Sequence, residues 1–230
     1  MLVSIIVPCY NEKNTIEKIV NRIYSLNIKK EIIIVDDGST DGTVNILRRK
    51  IRSKTKKIIF HNKNMGKGAA IKSSLKFIKG EIVIIQDADL EYDPKDYYKL
   101  LRPFKNKSIN VVYGSRVLGR KKSIFSHNLA KQFRIFGNHL LTLISNILNN
   151  QNLTDAHTCY KILRKNIFLK LKIKENGFSF CPEVTTKLSN LGIKIIEVPI
   201  SYNGRSYKEG KKIGFKDAYR AINTIFKYKY

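Results

Sequence analysis

The sequence predicts an α/β fold: one domain built on a mixed, mostly parallel sheet with helices on both faces. Three observations predict it. Short runs of Ile and Val recur through the first half of the chain, amphipathic segments separate them, and polar clusters follow three of the runs. Strands that read as near-continuous apolar runs are buried on both faces, as in parallel sheets covered by helices. Ligands of such sheets bind outside the carboxyl ends of the strands, which is where the polar clusters fall.

The elements follow in order. LVSIIV (2–7) reads as a buried strand, and Ile16, Ile19, Val20, Ile23 and Leu26 carry the spacing of a helix. EIIIVDD (31–37) is a second strand, with a helix near 41–50 after it. KIIF (57–60) is a third strand, followed by a helix over 68–79 and a fourth strand at EIVIIQD (81–87). NVVYGSR (110–116) reads as a strand entering a basic loop, GRKK (119–122). Residues 124–149 have helical spacing through Leu129, Phe133, Phe136, Leu140, Leu143, Ile144 and Ile147. TDAHTCYKILRK (154–165) carries no assignment. A helix near 182–191, a strand at 192–200 and a basic tail complete the chain.

The chain has 230 residues, 44 of them Lys or Arg and 18 Asp or Glu, a formal net charge of +26. Such a surface attracts polyanions: nucleic acid, anionic lipid headgroups or phosphorylated small molecules. A general bias toward Lys, Ile and Asn accounts for part of the excess. No nucleic-acid-binding motif is present, and the acids cluster at the expected cleft, which argues against nucleic acid as the partner. Three widely spaced cysteines, Cys9, Cys159 and Cys181, read as reduced thiols in a cytoplasmic setting. No Cys or His spacing suits zinc, and His61, His127, His139 and His157 read as structural or surface residues. The N-terminus is too short and too quickly polar for a signal peptide, and no apolar run is long enough to span a bilayer.

Chemistry concentrates in three segments. In IIQDADLEYDP (84–94) an apolar run ends in Asp87, Asp89 and Glu91 at alternate positions. Extended side chains alternate in direction, so the three acids are expected along one edge, an oxygen cluster suited to a hard divalent cation. A solvated turn ending at Pro94 fits the same residues. IVDDGSTDGT (34–43) puts two acids at a strand end before a Gly-rich turn, where they suit a ribose or base; Ser39, Thr40 or Asp41 also suits a helix N-cap. NMGKGAAI (64–71) is a Gly-Lys-Gly turn entering a helix, whose amides suit a phosphate, without the spacing of a P-loop.

Taken in order, SIIVPCYNE (4–12), IVDDGSTDGT, NMGKGAAI and QDADLEYDP (86–94) resemble the family 2 glycosyltransferases of the GT-A fold, a Rossmann-like α/β architecture. YGSR (113–116), LTDAHTCYK (153–161), EVPISYNGRSYKEGKKI (197–213) and GFKDA (214–218) resemble the dolichyl-phosphate mannose synthase and polyprenyl-phosphate branch. The resemblance spans nearly the whole chain. It implies a nucleotide-sugar-binding half over 1–115 and an acceptor half over 116–230.

By that resemblance, Pro8, Tyr10, Asn11, Glu12, Asp36, Asp37 and Gly38 bind the nucleotide, and Lys67 lies near its base or phosphates. Asp87, Ala88 and Asp89 form the DxD element that holds Mg²⁺ or Mn²⁺ on the diphosphate. Glu91 stands where the family often has Gln, and is carried as a third oxygen ligand. Arg116 and Arg205, with Arg134 and Lys211 behind them, are candidates to clamp an acceptor phosphate. Asp155 and Glu183 are ambiguous: either acts as a base for a hydroxyl acceptor, or orders the site through a basic neighbour.

The implied activity is inverting transfer of a hexose from GDP-mannose or UDP-glucose to a polyprenyl phosphate. The alternative acceptor is a sugar hydroxyl in surface polysaccharide or lipopolysaccharide assembly. Residues 119–149 mix Arg120, Lys121, Lys122, Lys131 and Arg134 with Phe125, Phe133 and Phe136, the make-up of an interfacial amphipathic helix and also of a core helix with a basic face. A lipid-borne acceptor implies a peripheral protein on the inner, anionic membrane face, lying on it directly or through an anchoring partner protein.

Overall fold

The computed structural model describes residues 1–119, 129–204 and 215–230, without the side chains of 129–134 and 215–217. Arg120, Lys121, Lys122, Phe125, His127, Arg205 and Lys211, and the side chains of Lys131, Phe133 and Arg134, lie outside the described residues.

The elements are β1 (Val3–Cys9), α1 (Ile16–Tyr24), β2 (Lys30–Asp36), α2 (Thr43–Ile46), β3 (Lys57–Phe60), α3 (Lys67–Ser74), β4 (Ile82–Ile85), α4 (Tyr97–Leu101), β5 (Val111–Ser115), α5 (Leu129–Asn149), β6 (Lys161–Arg164), α6 (Lys165–Lys170), α7 (Phe180–Asn190), β7 (Ile196–Pro199) and α8 (Phe215–Lys229). The seven-stranded sheet runs β3-β2-β1-β4-β6-β5-β7. β1 pairs in parallel with β2 and β4, β2 with β3, and β5 with β7. β6 alone runs against its neighbours β4 and β5, which makes the sheet mixed but mostly parallel, as expected.

Burial explains the strands. Ile5, Ile6 and Val7 of β1, Ile33 and Ile34 of β2 and all four residues of β4 are shut from solvent. Each such side chain contributes roughly 1.5–3 kcal/mol relative to an exposed one. α1 covers one face through Ile16, Ile19, Val20 and Ile23, the stripe that the spacing predicts.

Three stretches differ from expectation. The segment after the acids is helical: the Asp93 carboxylate caps the Lys95 amide, Pro94 opens a 3-10 turn, and α4 follows. The unassigned 154–165 segment supplies β6, whose antiparallel course needs no crossover helix and so leaves no α/β alternation to read. The basic tail is α8, which packs on α7 and α5 with Ala221, Thr224 and Ile225 turned inward. Its lysines stand at its exposed end and mask the apolar stripe in a composition-level reading.

Candidate active site

β1, β2 and β4 are parallel, so their carboxyl ends meet at one edge, and the loops beyond them interlock. Asn11, at φ +54, donates its amide to Ser39 Oγ, and its Oδ1 accepts the Thr40 amide. The Glu12 amide reaches Thr43 Oγ1, and its Oε2 accepts from the Thr15 hydroxyl. Asp41 accepts from the amides of Lys13 and Thr43, so it orders the turn before α2. Pro8 and Tyr10 are half-buried at this edge.

Asp37 is consumed by its own loop. Its Oδ1 meets His61 Nδ1 at 2.6 Å and accepts the Met65 amide, while Oδ2 accepts the Gly66 amide at 2.7 Å. His61 continues to Ser73 Oγ on α3, so this histidine fastens the Gly-Lys-Gly turn to the β2 edge. Asp36 accepts from the Ser39 amide, and its Oδ2 is buried with no hydrogen-bond partner. Gly38 is obligatory: φ is +76, and a Cβ would stand 2.5 Å from the Lys63 backbone carbon.

β4 ends at Ile85, and the acids lie in a turn beyond it. The expectation that Asp87, Asp89 and Glu91 share an edge by strand alternation is therefore corrected: extended geometry does not reach them, and the chain passes through Leu90 at φ +64. Asp89 Oδ1 accepts the Glu91 amide, whereas Glu91 Oε2 accepts from the Tyr202 hydroxyl at 2.8 Å. Asp87 Oδ1 receives Lys67 Nζ at 2.5 Å. Burial pulls the Lys67 ammonium down and the Asp87 charge outweighs it, holding the lysine well above its ordinary value. Gln86 anchors the turn from beneath. It is fully buried, its amide nitrogen donates to the Asp87 carbonyl, and its Oε1 accepts from the hydroxyls of Tyr97 and Tyr160.

The residues fit a hard divalent cation. Asp87 and Asp89 offer carboxylate oxygens, and a cationic group already stands on Asp87. Among the described residues no three His, Cys, Asp or Glu side chains gather for a metal, and Glu91, expected as a third ligand, bonds Tyr202.

Farther along the same edge, beyond β6, Arg116 at the end of β5 grips Asp155 with Nε at 2.6 Å and Nη2 at 2.7 Å, and adds its backbone amide. Burial raises the Asp155 carboxyl, but the arginine outweighs it and holds the group below the ordinary carboxylate value. Glu197 of β7 accepts the amides of Thr154 and Asp155 and fixes this loop from below. Lys161 is fully buried, its Nζ on the Ala156 carbonyl and 3.8 Å from the Tyr113 ring centroid. Burial pushes it down to about 8. A small pocket lies here, lined by Arg116, Thr154 and Asp155 and by the Asn138, His139 and Thr142 side chains of α5.

Glu183 lies at the start of α7, fully buried, and accepts from the amides of Lys174 and Glu175 and from Lys187 Nζ at 2.5 Å. That loop in turn receives α3: the Ala69 amide donates to the Asn176 carbonyl, and Lys72 to the Lys174 carbonyl. Sequence reasoning missed Gln86, Lys161, Glu197 and Tyr202. The one legible signal is Lys161, a charge inside the run Tyr160–Leu163.

The fold is that of GT-A glycosyltransferases. A crystal structure of glucosyl-3-phosphoglycerate synthase from Mycobacterium tuberculosis, in complex with Mn²⁺, UDP and glucosyl-3-phosphoglycerate, superposes with a TM-score of 0.70 at 19% identity, over 98% of this chain and 79% of that one. In sequence the chain is 29% identical to a dolichol-phosphate mannosyltransferase of Pyrococcus furiosus, over 99% of this chain and 62% of the relative. The chain thus spans less than two thirds of that relative's length. It is also 29% identical to a UDP-N-acetylglucosamine–dolichyl-phosphate N-acetylglucosaminyltransferase of Methanococcus voltae, over 96% of this chain and 95% of the relative. Residues 4–172 match the sequence pattern of glycosyl transferase family 2, and with the fold and the sheet-edge site this makes the chain a member of that family.

Proposed function

We propose that this protein transfers a hexose from a nucleotide sugar to a polyprenyl phosphate, with inversion at the anomeric carbon. One observation carries the choice of acceptor. A hydroxyl acceptor needs a base, and both acids considered for that task are engaged, Asp155 by the Arg116 fork and Glu183 by two amides and Lys187. An acceptor phosphate is already ionised at neutral pH and needs none. The names of both sequence relatives support the same acceptor class.

In this reading an acceptor phosphate oxygen bonds to the anomeric carbon as the bond from that carbon to the donor diphosphate breaks. The nucleoside diphosphate leaves with the electron pair. Lys67 offsets its charge from the end of α3, and a divalent ion held by Asp87 and Asp89 supplies electrophilic stabilisation when bound. The loops of Asn11, Asp37 and Gly38 shape the nucleotide end, and the acceptor phosphate approaches from the side of Arg116.

The membrane reading rests on α5. Among the described residues no helix is long and apolar enough to cross a membrane. α5 instead turns Thr142, Ser145 and Asn149 inward and leaves Phe136, Leu140, Leu143 and Ile147 exposed at helical spacing. An apolar stripe facing out from a strongly basic protein suits the anionic interface of a membrane, and α5 also meets Arg116 and Asp155 across a small pocket.

The test is to incubate the protein with Mn²⁺, a polyprenyl phosphate and radiolabelled GDP-mannose, UDP-glucose or UDP-N-acetylglucosamine in turn. Label passing into chloroform with one donor is expected, and its loss in D87N and D89N variants. Label appearing only on an added saccharide would overturn the lipid-phosphate acceptor.

A further inference from the structure

The mechanism above uses Lys67 as a charge beside the donor, but its resting position says more. Its Nζ lies 2.5 Å from Asp87 Oδ1, on the first acid of the proposed metal pair. Among the described residues the ammonium also meets Cys159 Sγ at 3.7 Å. Both side chains are largely shielded, with 13% of Lys67 and 23% of Asp87 exposed. The lysine stem is also held at its base. Gly66, at φ +98, would put a Cβ 2.5 Å from the Asn176 carbonyl oxygen, and a Cβ at Gly68 would strike the Glu175 carbonyl oxygen. Glu183 fixes the amides of Lys174 and Glu175 behind them.

We infer that Lys67 is a built-in counter-cation that holds Asp87 while the site is empty, competes with the divalent ion for it, and passes to the diphosphate when the nucleotide arrives. This rests on the reading that Asp87 and Asp89 hold the metal. Two cations on one shielded carboxylate repel, so the metal alone binds weakly. A diphosphate offers the ammonium a second anionic partner and lowers that repulsion. Metal and nucleoside diphosphate then strengthen each other's binding, and by linkage each does so by the same factor.

The test is direct Mn²⁺ binding, read from the loss of the free-ion EPR signal, for the wild type, K67M and K67R, each alone and with UDP or GDP. K67R keeps the charge and controls for packing, and circular dichroism checks the fold of each variant. The wild type is expected to bind Mn²⁺ weakly alone and more tightly with nucleotide. K67M is expected to bind Mn²⁺ alone about tenfold more tightly than wild type and to lose most of the nucleotide enhancement. K67R should behave as wild type. Tight Mn²⁺ binding by the wild type without nucleotide, or equal affinity in K67M and wild type, would sink the counter-cation while leaving the metal pair intact. Failure of the wild type to bind Mn²⁺ even with UDP or GDP would overturn the metal reading and this inference together. If K67M does not fold, K67Q, which also removes the charge, takes its place, and affinity for Mn²⁺ alone equal to that of the wild type would overturn the proposal.

Discussion

Arg116 and Asp155 meet fork to fork: Nε lies 2.6 Å from Oδ2 and Nη2 2.7 Å from Oδ1, with the arginine also 5.1 Å from the Tyr202 ring centroid. The pair is buried, so removing one partner strands the other. D155N is expected to lose about 3–5 kcal/mol of stability at neutral pH, measured by urea unfolding. The folded carboxyl titrates below its ordinary value, so its contribution is complete above about pH 4 and fades as the pH falls through the folded value. The gap between wild type and D155N should therefore hold constant from neutral pH down to about 5 and narrow only below about 4. A gap that narrows near neutral pH instead would mean that another group carries it.

Lys161 gives a slope of the same sign in an alkaline window. Burial lowers its folded pKa to about 8 from 10.5. Below 8 both states hold the proton and the burial cost is fully present; between the two values only the unfolded state keeps it, so stability rises with pH. Between about pH 7.5 and 9.5 the wild type should gain roughly 2 kcal/mol relative to K161M. Parallel stability profiles for the two proteins would place the lysine in water in solution.

Glu183 separates ordering from chemistry. E183Q faces an amide NH₂ toward a backbone N–H or Lys187, at a cost of roughly 2–3 kcal/mol. Because the loop it holds receives α3, the donor KM should rise while kcat stays within about threefold. A kcat loss of about 10² or more with the donor KM unchanged would mark Glu183 as the base instead.

Two glycines should respond in opposite directions. G68A drives a methyl into the Glu175 carbonyl, so it should lower Tm and weaken UDP or GDP binding by calorimetry. Gly137 on α5 has open space around a Cβ, and G137A should stabilise by about 0.5–1 kcal/mol. Unchanged nucleotide binding in G68A would show that the 174–176 loop yields without moving Lys67.

The outward stripe of α5 has its own readout. Replacing Phe136, Leu140, Leu143 and Ile147 by Ser should reduce co-sedimentation with anionic vesicles by at least about tenfold. Tm should hold, because these side chains are exposed. Undiminished vesicle binding would move the membrane contact elsewhere on the surface.

Where one face of an element is wholly apolar, its place could be read directly. Ile5 to Val7, Ile32 to Val35 and Ile82 to Ile85 announce buried parallel strands, and the polar residues after each announce the edge where the site lies. α8 escaped because its apolar positions are interleaved with Lys and Arg, whose charge dominates any local average, and β6 because its antiparallel course leaves only Ile162 and Leu163 between Lys161 and Arg164 to read. The acids of 87–91 were located correctly along the chain, yet their directions were not, since the turn at Leu90 breaks the alternation that a strand would impose.

What the sequence by itself determined is the fold class, the edge of the sheet that carries polar chemistry, and the residue types gathered there, because these follow from periodicity and local turn chemistry. Only the tertiary structure decided which groups meet: Lys67 with Asp87, Arg116 with Asp155, Glu183 with a loop's amides, and Glu91 with Tyr202. Those partners lie up to 111 residues apart in the chain. Ion pairing falls off over a few ångströms, so it is set by how distant segments dock and leaves no periodic trace in the sequence.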